Sequence, residues 1–116
     1  MMREITAAIR EAYRIHDIRI WLREYPPGNV AMDGRINAEP VKPVCFLEAP
    51  ELVSLEAKST MAAKILAAVD KAYRDIANTR ETMILMNHYP LVNAGWAGRL
   101  GSENPDAVTR IKQLNA

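Results

Sequence analysis

Arg35 and Arg99 occupy the same place in two copies of one loop motif, Tyr-Pro-x-x-Asn-x-x-x-x-Gly-Arg, which runs from Tyr25-Pro26 to Gly34-Arg35 and again from Tyr89-Pro90 to Gly98-Arg99. A guanidinium presents a planar fork of donors that matches a carboxylate, so either arginine can serve as an anion clamp. A solvated hairpin arginine or a subunit contact is the competing reading. Asn29 belongs to the first copy and joins the arginines as a candidate substrate contact. Trp96, within Ala94-Gly95-Trp96-Ala97-Gly98, can wall a pocket or dock on a neighbouring subunit. Tyr13 and Tyr73 end equivalent helices, where shared packing competes with a role in the site. Tyr25 and Tyr89 fit cover for the core edge better than acid–base work, because an unperturbed phenol stays protonated near pH 7.

Other chemistries find little support. His16 and His88 are the only histidines, and nothing places a third ligand near either, whereas catalytic zinc wants about three protein ligands. No metal and no cofactor is therefore expected. There is no phosphate-binding glycine loop and no Ser-His-Asp spacing, and the residues alone leave the catalytic group unknown. Cys45, the single cysteine, lies among Val44, Phe46 and Leu47 with no flanking base to lower its pKa, which suits a buried apolar thiol. Fifteen basic against fourteen acidic residues leave a formal charge of +1, too little to collect nucleic acid or an anionic membrane. Charged residues interrupt the first helix and no apolar run approaches the roughly 18 residues of a membrane span, so the cytoplasm is the expected location.

The elements that must position these residues follow from periodicity. Ile5, Ala8, Ile9 and Ala12 mark one face of a helix near 4–14. Ile18, Ile20 and Leu22 then alternate with Arg19, Trp21 and Arg23, predicting a strand over 17–24 that Pro26-Pro27-Gly28 ends. Residues 41–49 read as a second strand. A long helix near 54–77 follows, with Ser54 as N-cap and a buried stripe from Leu55 through Ile65 and Val69 to Ile76. Residues 82–88 form a third strand. Asn104-Pro105 opens a short terminal helix over 104–115 with Val108, Ile111 and Leu114 facing inward.

The order repeats. Shifted by 60, residues 5–14 (ITAAIREAYR) meet residues 65–74 (ILAAVDKAYR), and a shift of 64 superposes the two loop motifs. With 116 residues, 49% of them hydrophobic, one domain over 1–116 is expected, with unit one at 1–40 and unit two at 41–100. Unit two has a strand before its helix, giving β-α-β with a right-handed parallel crossover. Unit one has none within this sequence.

A duplicated β-α-β whose strands end in this loop resembles the tautomerase superfamily, carried by residues 9–14, Glu24 to Gly34, Ser54 to Lys58 and Pro90 to Arg99. The chain looks nearest to its cis-3-chloroacrylic acid dehalogenase and malonate semialdehyde decarboxylase branches. The resemblance implies an α+β two-layer sandwich, here without its first strand. It further implies an isomerase- or lyase-type enzyme on small 2-oxo or enol carboxylates, given a strand bearing the family's N-terminal proline. The alternatives are a non-catalytic trimeric ligand-binding relative and the non-proline subunit of a hetero-oligomer. A homotrimer is the implied assembly. Carried over by position, the family's arginine pair falls on Pro50 and Val53, its last-strand tyrosine on Leu85, its glutamate on Trp96 and its first-helix histidine on Tyr13.

Overall fold

The computed structural model describes residues 1–36 and 42–116. Its elements in chain order are α1 (Met2–Tyr13), β1 (Ala31–Met32), β2 (Arg35–Ile36), β3 (Val44–Pro50), α2 (Leu55–Tyr73), β4 (Met83–Tyr89), β5 (Gly95–Trp96), β6 (Arg99–Leu100) and α3 (Pro105–Leu114). Helix α1 buries the predicted stripe and adds Tyr13. It stops because Arg14 turns left-handed (φ 53°) while its N–H still reaches the Arg10 carbonyl at 2.8 Å.

β3 and β4 form a parallel pair in register from Val44↔Met83 to Pro50↔Tyr89, with α2 as the crossover. The strand predicted over 41–49 thus starts three residues later among the described residues, and its first position and the 40/41 unit boundary lie outside them. Side chains alternate as period two demands. Cys45, Leu47, Ala49, Ile84 and Met86 point toward the helices, while Val44, Phe46, Met83 and Leu85 are exposed on the other face. The helix-side core joins Ile5, Ala8, Ile9, Ala12 and Tyr13 of α1 to Met61, Ile65, Ala68 and Val69 of α2, with Ala49 and Leu52 below them. Helix α2 ends at Tyr73 rather than at 77, so Ile76, expected in its stripe, is exposed in the following turn; Leu55 is exposed at the other end.

Ser54 caps α2 as expected, its Oγ accepting from the Ala57 N–H at 3.1 Å. Ser54→Ala is expected to lower stability by about 1 kcal/mol, read as a lower urea midpoint with an unchanged slope. Serine replaced by aspartate, which also caps, should restore it.

One expectation fails. Residues 17–24 are not a strand: the chain from Ile15 to Pro26 joins no ladder among the described residues. Ile15, Ile18 and Ile20 still lean on the core, but Trp21 and Leu22 are exposed at 77% and 53%. Alternation specifies which face is apolar, yet a strand exists only where a neighbour completes its hydrogen bonds, and no described residue does so for this segment. Among the described residues the β3–β4 layer therefore has two paired strands, not three.

The repeated loops match in backbone detail. Each opens with a short 3₁₀ turn after its proline, in which Asn29 N–H bonds the Pro26 carbonyl at 2.8 Å and Asn93 N–H the Pro90 carbonyl at 2.9 Å. Each then forms a two-residue hairpin, β1–β2 and β5–β6, with positive φ at both central positions: Asp33 and Gly34 (50° and 77°), Ala97 and Gly98 (52° and 81°). Paired positive φ values give a turn whose twist suits a tight hairpin, and glycine in the second position adopts them without strain. Helix α3 is capped by Asn104, whose Oδ1 accepts from Asp106 and Ala107, and Leu114 reaches the core.

Candidate active site at the strand ends

Tyr13 and His88 meet where β3 and β4 end and α2 begins, within the electrostatic reach of Lys58 and Glu51. The chain folds this way because α1 terminates over the last inward-facing position of β4, which is His88, opposite Ala49 in the ladder. Tyr13 is 1% exposed, and its hydroxyl lies 2.6 Å from His88 Nε2, with the two rings edge to face at 5.8 Å and 83°. Burial pushes the Tyr13 phenol up to about 12. The same desolvation, helped by the Lys58 ammonium and opposed by Glu51, holds His88 below its usual value, so near neutral pH this is a neutral phenol on a neutral imidazole. The phenol can donate to a bare Nε2 or accept from a protonated one; donation leaves the ring proton on Nδ1.

The loop from β3 to α2 is tied down from the far end of the chain. Asn115 accepts from the Val53 N–H at 2.8 Å and donates to the Glu51 carbonyl at 2.9 Å, while Leu52 between them is 1% exposed. One amide thereby pins the two residues flanking a core plug, and with them the position of Glu51. Lys58 projects from the first turn of α2, where the helix dipole also favours negative charge.

The residues singled out from the sequence are not gathered here, except Tyr13. Arg35 and Arg99 are exposed at the tips of separate hairpins, and neither side chain bonds another described residue. Asn29 is exposed in the first 3₁₀ turn. Trp96 is half-exposed and packs over Gly101 in the second arm. Cys45 is half-buried and desolvation raises its pKa, as suits a packed thiol. His88, Lys58 and Asn115 carried no sequence signal as a site. Histidine at an inward position late in a strand was the one available hint, and it is legible only once Tyr13 is known to stand above it. No cluster of His, Cys, Asp and Glu suited to a metal occurs among the described residues.

An open cleft of about 270 Å³ lies between α1 and the first half of α2, lined by Ala8, Glu11, Ser54, Glu56 and Thr60 among others. Its carboxylates repel an anionic substrate, and Glu11 is engaged by Lys64 at 2.5 Å. The strand-end cluster, with its cation and donor, is the better place for a carboxylate.

The architecture has clear counterparts. A native fused 4-OT superposes with a TM-score of 0.75 at 20% identity, over 88% of this chain and 83% of that one. The fold is that of the fused 4-OT chain. A wild-type fused 4-OT that forms an asymmetric trimer gives 0.74 at 19% identity, over 90% and 84% of the two chains. N1, a member of the cis-3-chloroacrylic acid dehalogenase family, gives 0.66 at 13% identity, over 95% and 84%. By sequence, no family model and no curated protein matches the chain. The α+β architecture expected from the duplicated pattern is thereby shown, and no described helix is long and apolar enough to cross a membrane.

Proposed function

We propose that this chain is the substrate-holding part of an isomerase- or lyase-type tautomerase acting on small 2-oxo or enol carboxylates, as a homotrimer. The carrying observation is the desolvated Tyr13–His88 pair beside Lys58 at the C-terminal ends of the parallel strands, the place where open sheets bind ligands. With the phenol donating to Nε2, the Nδ1–H and the Lys58 ammonium supply a donor and a charge for a carboxylate or a developing enolate oxygen. The proline amine of the family's chemistry would come from a segment outside residues 1–116. The exposed sheet face of Val44, Phe46, Met83 and Leu85 suits a trimer contact. Arg35 and Arg99, on arms that project from the sheet, would then act across subunits.

Ketonisation of phenylenolpyruvate or 2-hydroxymuconate tests the reading. Acceleration over the solution rate is expected, with Lys58→Ala raising KM about tenfold, a loss of ~1.4 kcal/mol in binding. Proton transfer at the solution rate would sink it. That outcome favours a non-catalytic ligand-binding relative, a reading already supported by Pro50 and Val53 standing where the family's arginine pair falls.

A further inference from the structure

The strand-end cluster lies between two opposed charges, and the chain fixes where the negative one starts. Ala49 stands opposite His88 in the ladder and Pro50 opposite Tyr89, so Glu51 is the first residue past the paired part of β3, two places beyond the one facing the imidazole. Its backbone is anchored. The Asn115 amide donates to the Glu51 carbonyl at 2.9 Å and accepts from the Val53 N–H at 2.8 Å, and Leu52 between them is buried. The Glu51 side chain itself is exposed, while Lys58, four residues past the Ser54 cap of α2, is half-buried. Both charges act on the His88 ring, Lys58 the more strongly. Among the described residues no ion pair neutralises Glu51 and none joins it to Lys58, so each can meet a ligand. Arg35 and Arg99 belong to separate hairpins.

We infer that Glu51 makes this site selective for monocarboxylates, by repelling a second carboxylate at the far end of the same small ligand. The inference rests on the reading above that the cluster binds a carboxylate, and it narrows the substrate class. Lys58 and the His88 Nδ1–H can answer one carboxylate or one enolate oxygen. A ligand a few atoms long that engages them brings its other end within the field of Glu51, because both charges act on one imidazole. A like charge set against a carboxylate that no cation neutralises costs binding, whereas an uncharged end meets no such penalty. The anchoring is what makes the charge selective. With the peptide groups on both sides of Leu52 bonded to Asn115, the Glu51 backbone cannot retreat into solvent to relieve the repulsion, and only side-chain rotation is left. Of the two assay compounds named above, phenylenolpyruvate carries one carboxylate and 2-hydroxymuconate two, so the first is the better substrate.

Crotonate and fumarate test this without turnover. They share a four-carbon trans skeleton and differ only in a methyl group against a second carboxylate. Titrated into the full 116-residue chain and followed by the His88 ring-proton shifts, crotonate is expected to bind at least tenfold more tightly than fumarate, a difference of ~1.4 kcal/mol. Glu51→Gln removes the charge at an exposed position and should bring the two dissociation constants within about threefold, by tightening fumarate more than crotonate. Glu51→Lys, which sets a second cation there, should reverse the order. Equal affinities in the wild-type chain would overturn the inference and leave the carboxylate site standing. A preference for crotonate that survives undiminished in Glu51→Gln would also overturn it, since desolvation of the dianion and not Glu51 would then be the cause. His88 shifts that respond to neither compound would sink the proposed site itself, and the inference with it.

Discussion

Tyr13→Ala is expected to destabilise the protein by about 3–5 kcal/mol, because it removes an aromatic ring that is 1% exposed at the junction of α1, α2 and β4 and leaves a cavity there. Against a typical net stability of roughly 5–15 kcal/mol, that change should bring the thermal midpoint down steeply. Tyr13→Phe keeps the ring and deletes only the hydroxyl bonded to His88, so it should lose about 1 kcal/mol, since water can reach the partly exposed imidazole. Equal losses from the two substitutions would refute the packing account.

The same pair predicts a pH dependence of definite sign. His88 is held below its ordinary value of about 6.5, so the fold prefers the neutral ring. Its contribution is complete above that value and is lost as pH falls, because the unfolded chain takes the proton first. Tyr13 behaves oppositely: its phenol, raised to about 12, contributes fully below about 10 and is lost as pH rises toward 12. Urea midpoints measured from pH 7 down to 5 should fall more for the wild-type chain than for His88→Gln, which retains an acceptor and does not titrate. Parallel curves would count against this assignment.

Gly101→Ala is expected to dismantle the packing of the second arm. A Cβ at this buried position would stand 2.7 Å from Trp96 Cη2 and Cζ3 and 3.1 Å from the Leu91 carbonyl, closer than nonbonded atoms tolerate. The indole can swing away because its other side faces solvent, but the carbonyl belongs to the 3₁₀ turn, and the Gly101 N–H also bonds Ala94 O at 2.7 Å. Overpacking of this kind typically destabilises by about 1–3 kcal/mol. In a Trp21→Phe background, which leaves Trp96 as the sole indole, the substitution should red-shift and broaden Trp96 emission. An unshifted spectrum would show that Trp96 does not depend on Gly101. The first arm has no tryptophan in the equivalent place, where Ala31 and Met32 build β1, so the two arms share backbone geometry but not this packing.

What the sequence by itself determined was everything carried by local period and by duplication. The stripe of Ile5, Ala8, Ile9 and Ala12 needs only helical spacing to be read, Ser54 and Asn104 only their side-chain acceptors, and the paired loops only a repeated order of proline, asparagine and glycine. These signals lie within a few residues of the element they specify, and each recurs in the structure. The tertiary structure alone decided the rest. Residues 17–24 have the alternation of a strand and are not one, because a ladder requires a neighbour and periodicity cannot state whether one is there. Ile76 has the spacing of a core residue and lies exposed, since helix α2 stops at Tyr73 and Ile76 falls in the turn beyond it. His88 gains its chemistry from Tyr13, 75 residues earlier, and Asn115 pins Glu51 and Val53 from more than 60 residues away. No local pattern encodes such pairs: each partner is ordinary in its own segment, and only the packing of α1 and α3 against the strand ends brings them within bonding distance.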